Sequence, residues 1–315
     1  MRRAWGMLTA LVLLVGICGA LPSSAATVTS VSVLSDVLIP WGQPSASAAV
    51  DFPSGPFSKI EVLLSDRPDN DYYDRLFGVM VDGVELVRGT TPRADWSTTQ
   101  DVTRYASLLT GHRTATVNLL SYQGVGHRVS LQFVFHHGPA PAGVASSVVS
   151  AFSFAYLSPT PDKGCPGGNT GDIDPSASPV ISASAPFTRA AGSSATLLLY
   201  LTAHNCDEFF YTTVRPSPLR TVHLLIDGVE FTSFQPTPYV YALAGFSSKG
   251  QNTLLWWNAA QKQREKLGIH DGSGVIPPYS ITSPALSSLP PGPHTLGIRI
   301  DNGSSFWVLS AELLL

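Results

Sequence analysis

LFGVMVDGVELV, residues 76–87, decides the fold. Two runs of Val, Leu, Phe and Met flank Asp82-Gly83, a dipeptide suited to the positive φ angles of a two-residue hairpin turn. The stretch therefore reads as two antiparallel strands. Working outward, Ser58–Ser65 (SKIEVLLS) is a strand with one strongly apolar face. Thr114–Tyr122 and His127–His136 alternate apolar and polar residues, and read as a long hairpin across Gln123–Gly126. The second half answers in kind, with strands predicted over Ala195–Thr202, Thr221–Phe231, Thr295–Asp301 and Ser305–Leu315.

The two halves share a grammar. Asp-Gly-Val-Glu stands at Asp82–Glu85 and again at Asp227–Glu230, each time after an apolar strand and an acidic, aromatic loop. GHRTATVNLLSYQG in the first half parallels PGPHTLGIRIDNGSS in the second. Self-similarity of this kind predicts two related β domains, 27–157 and 179–315. Between them, residues 158–178 (SPTPDKGCPGGNTGDIDPSAS) carry no apolar period and read as a linker or long loop. Asn258–Leu267 (NAAQKQREKL) is the one helix-like segment. Asp-Gly-Val-Glu itself reads as turn chemistry rather than as a site.

Composition excludes several classes. Of the 315 residues only 13% are charged and 44% are hydrophobic, which rules out disorder as the main state. A net charge of −3 lacks the basic face of a nucleic-acid binder. Residues 1–26 hold Arg2 and Arg3, an apolar run from Ala4 to about Ala20, and Ser23-Ser24-Ala25-Ala26. That is the layout of a secretory signal peptide cleaved near Ala25-Ala26, and it predicts a secreted protein with no membrane span after removal. The alternatives are a membrane anchor, for which the run is short, and a lipid anchor at Cys18, which the bulky Ile17 disfavours. Removal of Cys18 leaves Cys165 and Cys206, which in an oxidising compartment read as one disulfide, with two independent thiols as the alternative.

No metal or cofactor is expected. The chain has no H-E-x-x-H, no C-x-x-C, no G-x-S-x-G and no phosphate-cradling Gly loop. His136 and His137 are adjacent in a predicted strand, so they point to opposite faces. The candidate chemistry lies in two acidic aromatic loops, Asp66–Arg75 (DRPDNDYYDR) and Asn205–Tyr211 (NCDEFFY). Carboxylates beside aromatic rings suit sugar handling, and they suit acid/base work where an apolar wall raises one carboxyl pKa and an Arg lowers another. Solvated loops with turn-forming Asp and Asn would look the same.

At these loops the chain resembles a known family. YYDRLFGVMVDGVELVRGTTP, followed by DWSTTQDVTRYASLL, is similar to the first domain of the peptide N-glycosidases, most of all the A type. NCDEFFYTTV and VHLLIDG resemble the opening of that family's second domain, and PHTLGIRIDN its closing strands. The resemblance covers about Ser58–Gly138, Ala195–Val240 and the C-terminal hairpin. It implies an all-β protein of two side-by-side jelly-roll sandwiches with mainly antiparallel strands and a site at their interface. It also implies hydrolysis of the amide between a glycan's first N-acetylglucosamine and Asn, with N-glycopeptides or N-glycoproteins as substrates. In the F type the principal catalytic Asp sits in Trp-Asp-Arg, which falls on Tyr73-Asp74-Arg75. A second acid sits in Cys-Ala-Glu-Trp, which falls on Cys206-Asp207-Glu208-Phe209. The resemblance therefore makes Asp74 and Glu208 the catalytic pair, with Tyr73, Arg75, Phe209 and Tyr211 binding substrate. The F type also uses a third carboxylate near the end of the first domain, where this chain has Leu119, Leu120 and Ser121. Two rivals come from other classes. A non-catalytic carbohydrate-binding or cell-surface β-sandwich protein would keep the aromatics. A copper monooxygenase would need several His and a Met, and only Met80 remains after the signal.

Overall fold

The computed structural model describes residues 27–69, 75–91, 95–119, 121, 124–158, 180–190, 195–203, 220–236, 255–258, 263–266, 274–303 and 306–315. They form two antiparallel β sandwiches side by side. In the first, one sheet orders β1 (Val28–Pro40), β8 (Gly126–His137), β3 (Phe57–Asp69) and β6 (Trp96–Asp101). The facing sheet orders β5 (Val84–Thr90), β4 (Leu76–Val81), β7 (Gly111–Leu119) and β2 (Ser45–Phe52). The second sandwich repeats this jelly-roll order strand for strand. One sheet is β9 (Val148–Leu157), β19 (Trp307–Leu314), β11 (Thr196–Ala203) and β17 (Tyr279–Thr282). The other is β10 (Val180–Arg189), β18 (Gly292–Asp301), β12 (Thr221–Ile226) and β13 (Val229–Phe234). The hairpin β14 (Leu255–Asn258)–β15 (Gln263–Lys266) and the short β16 (Gly274–Ile276) come between its fifth and sixth strands, and β16 adds to the edge of β5.

The repeated Asp-Gly turns carry the duplication into atomic detail. Asp82 (φ 46°) and Gly83 (φ 80°) join β4 to β5, as Asp227 (φ 51°) and Gly228 (φ 81°) join β12 to β13. Each Asp ties its turn to the seventh strand of its own sandwich. Thr114 N donates to Asp82 Oδ1 at 2.8 Å, and Thr295 N donates to Asp227 Oδ1 at 2.8 Å. Arg113 and His294 then meet the second oxygen of their respective Asp.

Burial explains the two kinds of strand. β3 alternates buried and open residues, because it has one face on the core and one on solvent. β5, β11 and β19 are buried almost throughout, since the second sheet of the first sandwich packs against the β9–β19–β11–β17 sheet of the next. The first core centres on Phe52, Phe133, Phe135, Phe77 and Trp96, the second on Leu197, Leu224, Ile298 and Trp307. No helix among the described residues is long and apolar enough to cross a membrane.

Three expectations change. Strands β7 and β8 are not a hairpin: β7 pairs with β2 and β4, and β8 with β1 and β3, in facing sheets. Alternation gave each strand its face and left its partner open. Asn258–Leu267 is not a helix, because Leu255–Asn258 pairs with Gln263–Lys266 as strands. Among the described residues the α-helix is α1 (Pro284–Ser287), where Ser283 caps Ala285 N and Pro284 opens the turn. Finally, β9 lies before the composition shift yet pairs with β19, as the first strand of the second sandwich. The segment 158–178 thus follows that strand, and the sandwiches meet between β8 and β9.

Gly126 shows how tightly the first strands close. At φ 137° it opens β8, and a Cβ there would lie 2.1 Å from Ile39 O. Gly126→Ala is expected to cost about 1–3 kcal/mol from backbone strain, with the clash added. A fall in melting temperature checks this, and an unchanged one would contradict it.

Candidate functional site

Each acidic aromatic loop joins the third strand of its sandwich to the fourth. The first leaves β3 at Asp69 and returns at Arg75, one residue before β4. The second leaves β11 at Ala203 and returns at Arg220, one residue before β12. Tyr73, Asp74, Cys206, Glu208, Phe209 and Tyr211 lie outside the described residues, as does Cys165. Arg75 is described. Its N–H donates to Thr91 Oγ1 at 2.9 Å, and its carbonyl accepts Thr91 N at 2.8 Å. The entry to β4 is thereby stitched to the exit of β5.

Packing between the sandwiches sets where these ends fall. Arg88 on β5 reaches across the interface, its Nη1 donating to Thr202 Oγ1 at 3.2 Å and to Val308 O at 2.6 Å. Glu85 N, three residues earlier, donates to Glu312 Oε1 at 2.8 Å. β5 and β19 therefore run in opposite senses. The Thr90–Thr91–Arg75 end of the first sandwich lies on the same side as Ala203 and Trp307, which pair across β11 and β19. Both loops depart from one end of the interface.

The first loop has a buried foundation. Trp96 Nε1 donates to Asp66 Oδ2 at 2.8 Å, and His127 Nδ1 lies 2.9 Å from the same oxygen. The side chains of Asp66 and His127 are fully buried, on neighbouring strands β3 and β8. Further along β8, His136 and His137 take separate partners, Glu61 and Thr29.

The interface itself holds a buried polar cluster. Arg88 Nε and Nη2 donate to the two oxygens of Glu85 at 2.8 and 2.6 Å, with both side chains fully buried. The guanidinium lies 5.1 Å from the Phe154 ring centre and 5.8 Å from that of Tyr200. Tyr200 OH donates to Leu86 O at 2.8 Å and meets Tyr105 OH. Gly78 has no room for a side chain here, since a Cβ would lie 2.6 Å from Phe154. Burial pushes Glu85 upward against the pull of Arg88, and pushes Glu312 well above the ordinary carboxylate range. One cation neutralises one acid, and the two-point contact assigns it to Glu85. Burial therefore favours the protonated form of Glu312.

Sequence reasoning missed Asp66–His127–Trp96, Glu85–Arg88–Glu312 and Arg220. Arg220 is 2% exposed and opens the fourth strand of its sandwich as Arg75 opens that of the other. The duplication held that signal, because both Arg stand seven residues before an Asp-Gly turn.

No protein-family model matches the chain. It is 28% identical over 299 residues to peptide-N4-(N-acetyl-beta-glucosaminyl)asparagine amidase A of Prunus dulcis, covering 84% of this chain and 49% of that protein. The chain thus spans about half the length of this curated relative. Among solved structures, PNGF-II matches at TM-score 0.60 and 15% identity, over 91% of this chain and 64% of that one. PNGase F from Flavobacterium meningosepticum matches at TM-score 0.53 and 14% identity, over 91% and 95%. These likenesses show a shared double-sandwich fold. By sequence the chain is similar to a peptide N-glycanase, and by fold it shares the double sandwich of PNGF-II and PNGase F.

Proposed function

We propose that this chain hydrolyses the amide between N-acetylglucosamine and asparagine in N-glycopeptides or N-glycoproteins. The observation that carries the reading is the departure of both acidic aromatic loops from one end of the interface. Asp74 precedes Arg75 directly, and Glu208 stands five residues beyond Ala203. The curated relative is named as an amidase of this bond, and its similarity spans both sandwiches.

Amide hydrolysis needs an activated water, stabilisation of the oxyanion and a proton for the departing nitrogen. In this reading Asp74 takes a proton from water as the water oxygen attacks the Asn side-chain carbonyl. Arg75 favours the ionised form of Asp74. Glu208 protonates the leaving nitrogen, the C–N bond breaks, and the products are an Asp-containing peptide and a glycosylamine that loses ammonia. Tyr73, Phe209 and Tyr211 wall the sugar. The same reading has residues 1–26 removed on secretion and Cys165 joined to Cys206, tying 158–178 to the loop of Glu208.

A defined N-glycopeptide tests the reaction. The expected result is free glycan together with a peptide whose Asn has become Asp, followed by mass spectrometry. Binding of the glycopeptide with no conversion would replace the amidase by a carbohydrate-binding protein. That second reading draws on Leu119 and Ser121, both fully buried, where the F type places its third carboxylate.

A further inference from the structure

Among the tryptophans whose burial is described, Trp41 stands apart. Trp96 and Trp307 are 3% and 0% exposed, whereas Trp41 is 64% exposed. Val125, whose carbonyl accepts Trp41 N, is 48% exposed, so two exposed apolar residues meet at this turn. An exposed indole offers a broad flat face with few rotamers to freeze on binding.

The backbone beneath it is well fixed. Pro40-Trp41-Gly42-Gln43 is a tight turn closed by Gln43 N donating to Pro40 O at 3.0 Å, with Gly42 at φ 78°. Trp41 N donates to Val125 O at 3.0 Å, and Gly42 N to Ser121 O at 3.4 Å. Val125 N in turn donates to Asp69 O at 2.9 Å, where β3 hands over to the first acidic aromatic loop. Two hydrogen bonds therefore connect the Trp41 turn to the root of that loop. β2, which follows the turn, stands two strands from β4 in its sheet, a separation of roughly 10 Å.

From this placement we infer that Trp41, with Val125, is a stacking platform for a sugar ring beyond the first N-acetylglucosamine of the glycan. The inference rests on the amidase reading for the identity of its ligand. The apolar face of a pyranose covers the indole, and Val125 extends the contact. The platform lies to the side of the loop roots, so it binds and orients without touching the reacting bond. The turn that carries it is held by backbone hydrogen bonds, so stacking orders little beyond the indole itself.

The test uses the full chain and two probes that need no chemistry. These are a released oligomannose N-glycan retaining its two core N-acetylglucosamine units, and N-acetylglucosamine alone. Trp41→Ala should weaken binding of the released glycan about 5–10-fold, as expected for loss of one aromatic stack. It should leave binding of the monosaccharide and the melting temperature unchanged, while Trp41→Phe stays within about twofold of the parent. Equal affinity of Trp41→Ala and parent for the glycan overturns the inference, as does an equal loss for both probes or no glycan binding by the parent. Failure of the amidase reading shows separately, as a glycopeptide that is never converted.

Discussion

Asp74→Asn should slow release of glycan from a defined N-glycopeptide by about 10²–10⁴-fold, the usual cost of removing a group that transfers a proton in the rate-limiting step. The substitution keeps the shape of the side chain and removes its basicity. Glu208→Gln should lose a comparable factor, because it leaves the departing nitrogen without its proton donor. If the two acids act as a unit, the double variant should be scarcely slower than either single one. Both single variants should keep the parent melting temperature, which separates lost chemistry from lost fold. Asp82→Asn is the control. The Asp82–Gly83 turn closes the far end of β4 and β5 from Arg75 and Thr91, so the reaction rate should be nearly unchanged. Retention of most of the rate by Asp74→Asn would remove it from the mechanism. So would a rate loss in Asp82→Asn matching that of Asp74→Asn, since the effect would then be structural.

Much of this architecture was legible in local sequence, for reasons particular residues make plain. Asp-Gly at 82–83 and 227–228 specifies a turn whose φ angles few other pairs adopt, and both turns form with those angles. The uninterrupted apolar runs of β4 and β11 were legible as strands, and their lack of alternation reflects burial on both faces. Ser45–Phe52 escaped notice because SASAAVDF offers small side chains where a strand is usually read from large ones. Gln263–Lys266 misled because Gln, Arg, Glu and Lys are good helix formers, yet the preference of four such residues cannot outweigh pairing with a neighbouring strand. The Asp66–His127 pair and the Arg88 cluster were hidden for a different reason. Their partners are 61 and up to 227 positions apart, and only the jelly-roll closure brings them into contact.

Arg88→Met should destabilise the protein by about 3–5 kcal/mol, the cost of leaving a buried charge without its partner. Met preserves the length of the side chain and much of its apolar packing against Phe154 and Tyr200. What it removes is the cation that neutralises Glu85 and the donors to Thr202 and Val308 that join one sandwich to the other. Urea unfolding should show the loss, and adding Glu85→Gln to the variant should restore part of it by removing the stranded charge. The pH dependence supplies a second test. Burial raises Glu312 above the usual carboxylate value of about 4.5, which favours a proton in the folded protein that the unfolded chain releases. Its contribution is fully present below about pH 4.5 and is lost as pH rises through the folded-state value. Glu312→Gln keeps the oxygen that accepts Glu85 N and has no proton to lose. Its stability relative to the parent should therefore rise with pH above about 4.5 and reach a plateau once the parent acid ionises. In Arg88→Met the same sign applies to Glu85, now unpaired, so stability should fall more steeply with rising pH than in the parent. A flat difference between Glu312→Gln and parent from pH 4 to 8 would mean that Glu312 is ionised in the folded protein. The proton would then have to be assigned to Glu85, with Arg88 bridging both acids.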